Sequence, residues 1–207
     1  MNERDVSVVI CAYTADRWDH LLAAVESVRC QSAPPAEIIV VIDHNPGLFE
    51  RARAHLADAL VVENQEPRGL GGARNSGVAV ANGAVIAFLD DDAIAAPDWL
   101  EQLTAAYDRA DVVGIGGSTE PAWLGARPPW FPEEFNWVVG CSYRGMPRTA
   151  APVRNLHGCN MSFRRQVFEA VGGFRLGYGC DETEFCIRIQ RHSPQGILLH
   201  QPGARVY

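Results

Sequence analysis

The chain has 207 residues, with 18 Lys and Arg against 25 Asp and Glu and a net charge of −7. Hydrophobic residues make up 47% and charged residues 21%, an ordinary globular balance at a length that buries roughly 70% of the unfolded surface, so folding needs neither disulfides nor a structural metal. The acidic balance speaks against a nucleic-acid partner, which calls for a basic face. Cys11, Cys30, Cys141, Cys159, Cys180 and Cys186 form no CxxC pair, which argues against zinc and for reduced thiols in an intracellular protein.

Met1 to Asp5 is polar and does not read as a secretion signal. No stretch approaches the roughly 20 apolar residues of a membrane span, which leaves peripheral association as the form of membrane contact open to the chain.

Val6-Ser7-Val8-Val9-Ile10-Cys11-Ala12 is a near-continuous β-branched run and predicts a strand buried on both faces. Trp18, Leu21, Leu22, Val25 and Val28 follow at helical spacing, and Pro34-Pro35 stops that helix. Glu37 to Ile42 predicts a second strand ending at Asp43, residues 48–60 a second helix, and Ala59 to Val62 a short third strand. A glycine-rich loop over 64–72 leads into a helix over 73–81. Ala84 to Leu89 predicts a fourth strand running into Asp90-Asp91-Asp92. Pro97 is placed to open a helix through Tyr107, and Val112 to Ile115 reads as a fifth strand. This alternation implies a parallel sheet with right-handed crossovers, whose ligands sit beyond the carboxyl ends of the strands. Tyr13, Asp43 and Asp90 to Asp92 all fall at such ends.

From residue 118 the composition turns irregular, with Pro121, Pro128, Pro129 and Pro132 among Trp123, Trp130 and Trp137. A soft boundary therefore divides 1–117 from 118–207. Met161 to Phe163 predicts a strand, Gln166 to Val171 a helix, and Asp181 to Arg191 another.

Four segments can carry chemistry. Three adjacent carboxylates closing an apolar strand are costly unless a positive group offsets them; magnesium or manganese bridging a diphosphate would do so. The alternative is a solvated acidic turn. Asp43 could accept from a base N–H, or form an Asx turn in Asp-His-Asn-Pro-Gly. Pro67 to Asn75 holds Arg68, three glycines and Arg74, which suit phosphate or a plain flexible turn. It lacks the GxGxxG fingerprint, which counts against a dehydrogenase. In Gly179-Cys180-Asp181-Glu182, Asp181 is placed as an N-cap, and Glu182 in the first turn is kept ionised by the helix dipole and able to take a proton from a hydroxyl. Glu184 and Arg188 are spaced as a surface pair. Trp130 and Trp137 could stack on a sugar or pack beneath a loop. His157 and Asn160 are polar groups of the acceptor side, and Arg164 and Arg165, beside a helix start, are expected in solvent.

The segments VSVVICAY, EIIVVID, PRGLGGARNSGVAVANG, FLDDD, GCNMSFRRQVFEAVGGF and GCDETEFCIRIQR together resemble the family 2 glycosyltransferases. The resemblance implies the GT-A fold: a Rossmann-like, mostly parallel sheet flanked by helices, with a smaller mixed half on the acceptor side. Residues 1–117 would bind the nucleotide sugar, and 118–207 would hold the acceptor and the catalytic base within one fused domain. It implies an inverting transfer from a nucleoside-diphosphate sugar, with uridine diphosphate as carrier and Mn2+ or Mg2+ as cofactor. The acceptor would be a saccharide, a lipid-linked sugar or another hydroxyl, and the location cytoplasmic, at the inner membrane face. Ala12 and Tyr13 would border the base and Asp43 would bond it. Arg68 or Arg74 would approach base or diphosphate, and Asp90 and Asp91 the ribose and metal. Asp92 would bind metal directly. Glu182 would be the base, with Asp181 in reserve. Family members often carry a metal-binding histidine after a segment like Gln201 to Val206, where Tyr207 stands here, and His200 precedes that segment. The chain is read as truncated, or as binding metal with fewer ligands. Two other readings stand beside the transferase. One is a non-catalytic nucleotide-sugar binder. The other is a sugar-1-phosphate nucleotidyltransferase, against which Cys11 to Arg17 lacks a lysine-bearing glycine loop.

Overall fold

The computed structural model describes residues 5–123, 125–177 and 179–207; the polar start, Met1 to Arg4, lies outside them. Eight strands and six α-helices follow in chain order: β1 (Val6–Ala12), α1 (Trp18–Arg29), β2 (Glu37–Ile42), α2 (Pro46–His55), β3 (Leu60–Glu63), α3 (Leu70–Val80), β4 (Val85–Asp90), α4 (Trp99–Thr104), β5 (Val112–Thr119), β6 (Ala151–Pro152), β7 (Asn160–Arg164), α5 (Arg165–Val171), α6 (Asp181–His192) and β8 (Ile197–Val206). They build one sheet in the order β3-β2-β1-β4-β7-β5-β8-β6. β3, β2, β1 and β4 are parallel, β7 runs antiparallel between β4 and β5, β5 and β8 are parallel, and β6 is antiparallel to β8.

The alternation of side chains along β1 feeds two cores. Val8 and Ile10 face one layer with Trp18, Leu21, Val25 and Leu48, while Val9 faces the other with Phe88, Phe163, Phe168 and Phe185. In the second layer Phe185 of α6 lies 4.6 Å from Phe174 and 5.0 Å from Phe163, ring to ring. Those contacts seat the first turn of α6 against the sheet. On the same face, a Cβ on Gly77 of α3 would stand 2.5 Å from Val9 Cγ1, so the helix packs there without room for a methyl. Gly77→Ala is expected to cost about 1–3 kcal/mol through overpacking. Urea titration checks this, and an unchanged midpoint would mean that α3 shifts freely.

Several boundaries differ from the sequence expectation. β5 runs through the proposed boundary at 117/118, and β7 from the second stretch sits between two strands of the first. The helix predicted from Pro97 to Tyr107 is only Trp99–Thr104, because Asp98 precedes the first turn and Tyr107 turns inward to pair its hydroxyl with Ser162 at 2.9 Å. Residues 133–139 form a 3-10 helix. β8 was not expected as a strand. It carries Pro202-Gly203, a pair that regular strands disfavour, and the pairing with β5 accommodates them by a register shift between Gly117 and Ser118.

Candidate functional site

The carboxyl ends of β1, β2 and β4 meet at a cavity of about 140 Å³ lined by Ala12, Tyr13, Arg17, Asp43, Asp90 and Asp91 among others. Asp43 is buried and spans the cavity floor. It accepts from Asn64 Nδ2 at 2.7 Å and from the Gly69 amide at 2.9 Å, so it pins the glycine-rich loop and is not an Asx turn. Asn45 caps α2 instead. Asn64 Oδ1 holds the Glu66 amide and the Ser76 hydroxyl. Gly69 makes the turn into α3 at φ +133°, a conformation reserved for glycine. Asp43→Ala should leave two polar groups unpaired at this floor and cost about 1–3 kcal/mol, read as a lower thermal midpoint. Arg68 is exposed on the same loop.

The acidic triplet is held by two arginines. Arg17 Nη1 sits 3.1 Å from Asp91 Oδ1 and 3.0 Å from Asp92 Oδ2, and Arg74 lies 3.6 Å from Asp90. Asp91 is buried and its Oδ2 finds no hydrogen-bond partner among the described residues. Burial raises the carboxyl of Asp91 above the usual range, with Arg17 opposing; burial also raises Asp90, with Arg74 opposing. Both carboxylates therefore gain from a further positive charge. The donors are all oxygen and one is orphaned, which suits Mg2+ or Mn2+ held by one or two carboxylates with phosphate and water completing the shell. Among the described residues no three His, Cys, Asp or Glu side chains converge on one point, and Arg17 stands between Asp91 and Asp92.

Arg74 is the hinge of the site. It is buried, and its guanidinium donates to both oxygens of Asp181, at 3.2 and 3.3 Å, and to the Gly158 carbonyl at 2.9 Å. The triplet and the acidic pair of α6 thus share one cation. Asp181 is the first residue of α6, with Cys180 at the N-cap. Its carboxylate turns to Arg74 and the Glu182 amide, so the N-cap expected of Asp181 is corrected. Glu182 is half-buried, and burial together with Asp181 raises its carboxyl above the usual range. Glu184 and Arg188 pair at 2.7 Å, partly buried, and Arg188 also reaches the Val171 and Gly173 carbonyls.

A second cavity, about 580 Å³, is lined by Glu120, Trp123, Arg127, Tyr143, Arg148 and His200, with others. β4 and β5 point the same way through the antiparallel β7, so Glu120, just past β5, lies on the same sheet edge as the triplet. Trp130, Trp137 and His157 do not line this cavity. Both tryptophans are exposed. Asn160 is a correction: it is fully buried, receiving from Trp99 Nε1 and donating to the Ser118 and Ala204 carbonyls, and so braces strands instead of facing an acceptor. Arg164 and Arg165 are corrected as well. Arg164 is buried on the Val112 and Tyr107 carbonyls, and Arg165 holds those of Gly83 and Ala81. His200, set aside in the sequence, is buried; burial and then His157 hold its imidazole down at about 4. All six cysteines are free. Among the described residues no helix is long and apolar enough to cross a membrane.

A mixed eight-stranded sheet flanked by helices, with carboxylates at one edge, is the arrangement of the GT-A glycosyltransferase fold. Two solved structures share it: GalNAc-T7 with UDP, GalNAc and Mn2+ (TM-score 0.74, 22% identity, 98% of this chain, 43% of that one); and the mannosyltransferase PcManGT of Pyrobaculum calidifontis with GDP-Man and Mn2+ (TM-score 0.72, 22%, 97% and 55%). The model of glycosyl transferase family 2 matches residues 7–172, and the chain belongs to that family. It is 37% identical over 208 residues to the glucosyl-dolichyl phosphate glucuronosyltransferase of Haloferax volcanii, covering 95% of this chain and 66% of that protein. It is 35% identical over 112 residues to the succinoglycan biosynthesis protein ExoO of Rhizobium meliloti, covering 53% and 31%. The chain thus spans two thirds or less of these relatives.

Proposed function

We propose that the chain transfers a sugar from a nucleoside diphosphate, uridine diphosphate by resemblance, to an acceptor hydroxyl with inversion. The single observation that carries this is Arg74, which reaches Asp90 at 3.6 Å and Asp181 at 3.2 Å and so ties the triplet to the helix of Glu182. In this reading the base lies against Ala12 and Tyr13, and Asp43 accepts from it with lone pairs beyond those used by Asn64 and Gly69. Arg68, exposed on the loop, takes phosphate, and Asp90 faces the ribose. Asp91 and Asp92 would hold Mn2+ or Mg2+, which supplies Lewis-acid stabilisation of the departing diphosphate when bound. Glu182 takes the proton of the acceptor hydroxyl as its oxygen bonds the anomeric carbon and the bond from that carbon to the diphosphate oxygen breaks. Asp181 is Arg74's counter-ion and serves position, not proton transfer.

The Haloferax relative's name supports a lipid-linked saccharide as acceptor, and Arg127 and Arg148 around the larger cavity suit its phosphate. Free cysteines support a reducing, cytoplasmic compartment, with the acceptor reached at the membrane's inner face. The test is a thermal-shift panel of nucleoside diphosphates with and without Mn2+, followed by transfer assays. The true carrier should raise the midpoint by mass action, and Asp92→Ala should abolish metal-dependent transfer. Full activity in that variant, or no nucleotide response in the wild type, would overturn the reading.

A further inference from the structure

Arg17 has no place in the donor-site reading so far, yet it touches more of the acidic triplet than any other side chain. It closes a short 3-10 turn, Ala15–Arg17, capped by the Thr14 hydroxyl. From there its guanidinium crosses to β4, over 70 residues along the chain, and a single nitrogen bridges Asp91 and Asp92. The Tyr13 ring lies 5.6 Å beneath it. The side chain is 40% exposed, so solvent screens the pair and the arginine is free to swing without leaving a charge buried. Asp91 is different: its side chain is 5% exposed, and one oxygen has no hydrogen-bond partner among the described residues. Arg17 therefore satisfies one oxygen of a buried carboxylate at the cavity's edge and leaves the other unsatisfied.

The lining of that cavity points the same way. Arg17 forms part of its wall together with Tyr13, Asp43, Asp90 and Asp91. A nucleotide sugar entering there meets the guanidinium.

We infer that Arg17 is a donor-contacting residue with two positions: a resident cation on Asp91 and Asp92 when the donor is absent, and a clamp on the donor's diphosphate when it is bound. The inference rests on the donor-site reading above. Charge drives the exchange. A divalent cation competes with Arg17 for the same two carboxylates, while the arriving diphosphate offers the planar guanidinium an anionic, bidentate partner in place of the two single-nitrogen contacts it leaves. The device keeps Asp91 and Asp92 from facing each other unscreened when no donor is bound, and it makes metal bind poorly until diphosphate comes with it.

The consequence is a pair of effects with opposite signs. Binding of Mn2+ alone, followed by electron paramagnetic resonance of the free ion, should strengthen several-fold in Arg17→Gln, because the competing cation is gone. Binding of uridine diphosphate at saturating Mn2+, followed by calorimetry, should weaken about tenfold, the order of one charge-assisted hydrogen bond. Arg17→Lys keeps the charge without the fork and should fall between on both axes. A purely structural arginine would lower both affinities or neither; either result from Arg17→Gln overturns the inference while the wild type still binds both ligands. A wild type that binds neither Mn2+ nor uridine diphosphate overturns the donor-site reading, and this inference with it.

Discussion

Glu182→Gln is expected to lower kcat by about 10²- to 10⁴-fold, the usual contribution of a positioned general base, while the affinity for uridine diphosphate stays near that of the wild type. Glu182 sits in the first turn of α6, where the helix dipole favours the carboxylate. Burial and the adjacent Asp181 raise its carboxyl, and Arg74 pulls it back. The sign for activity follows: kcat/KM falls as pH drops through the raised value, so the acid limb stands above the ordinary glutamate range. Glu182→Gln should flatten that limb, and Glu182→Asp should keep it at reduced rate. Stability moves the other way. A carboxyl raised in the folded state binds its proton more tightly folded than unfolded, so the ionised form is a liability that grows as pH climbs from the unfolded value through the folded one. Glu182→Gln should therefore be no less stable than wild type at pH 7. A variant that loses stability along with turnover would mark Glu182 as structural. Full turnover in Glu182→Gln with loss in Asp181→Asn would move the base by one residue.

The parts legible in the sequence are those with a local cause. β1, β2 and β4 are continuous β-branched or apolar runs, and a parallel strand buried on both faces has no other pattern to show. Asp43 and Asp90 follow such runs directly, so their place at the sheet edge came with the strands. The parts that were not legible depend on partners far along the chain. Asn160 and Arg164 look like loop and helix-start polarity until β7 is known to lie between β4 and β5. Their polar groups then serve Trp99 and the carbonyls of neighbouring strands. Arg17 sits in an unremarkable turn, and its carboxylates are 74 residues away. β8 hid behind Pro202-Gly203, which only a register shift against β5 makes compatible with a strand.

Arg74 is the residue whose loss should be felt most in stability. Arg74→Met is expected to cost about 3–5 kcal/mol, because it strands the buried Asp181 carboxylate without a counter-ion. The Gly158 carbonyl loses its donor too, and the aromatic faces of Phe88 and Phe174, 5.9 and 5.6 Å from the guanidinium, lose their cation. Arg74→Lys keeps a charge but not the geometry that holds two Asp181 oxygens and a carbonyl together, so it should recover only part. The informative variant is the double one, Arg74→Met with Asp181→Leu. Replacing both members of a buried pair by apolar groups is often neutral or better for stability, so urea unfolding should return towards the wild-type midpoint. Turnover should not return with it. Asp90 would still lack its cation, and the first turn of α6 would no longer be tied to the sheet edge that carries the triplet. A double variant recovering both would reduce Arg74 to a fold-stabilising pair and separate the triplet from Glu182. A single variant losing under about 1 kcal/mol, the scale of an exposed pair, would show that solvent reaches Asp181 and that the two acidic groups are not joined through a dry contact.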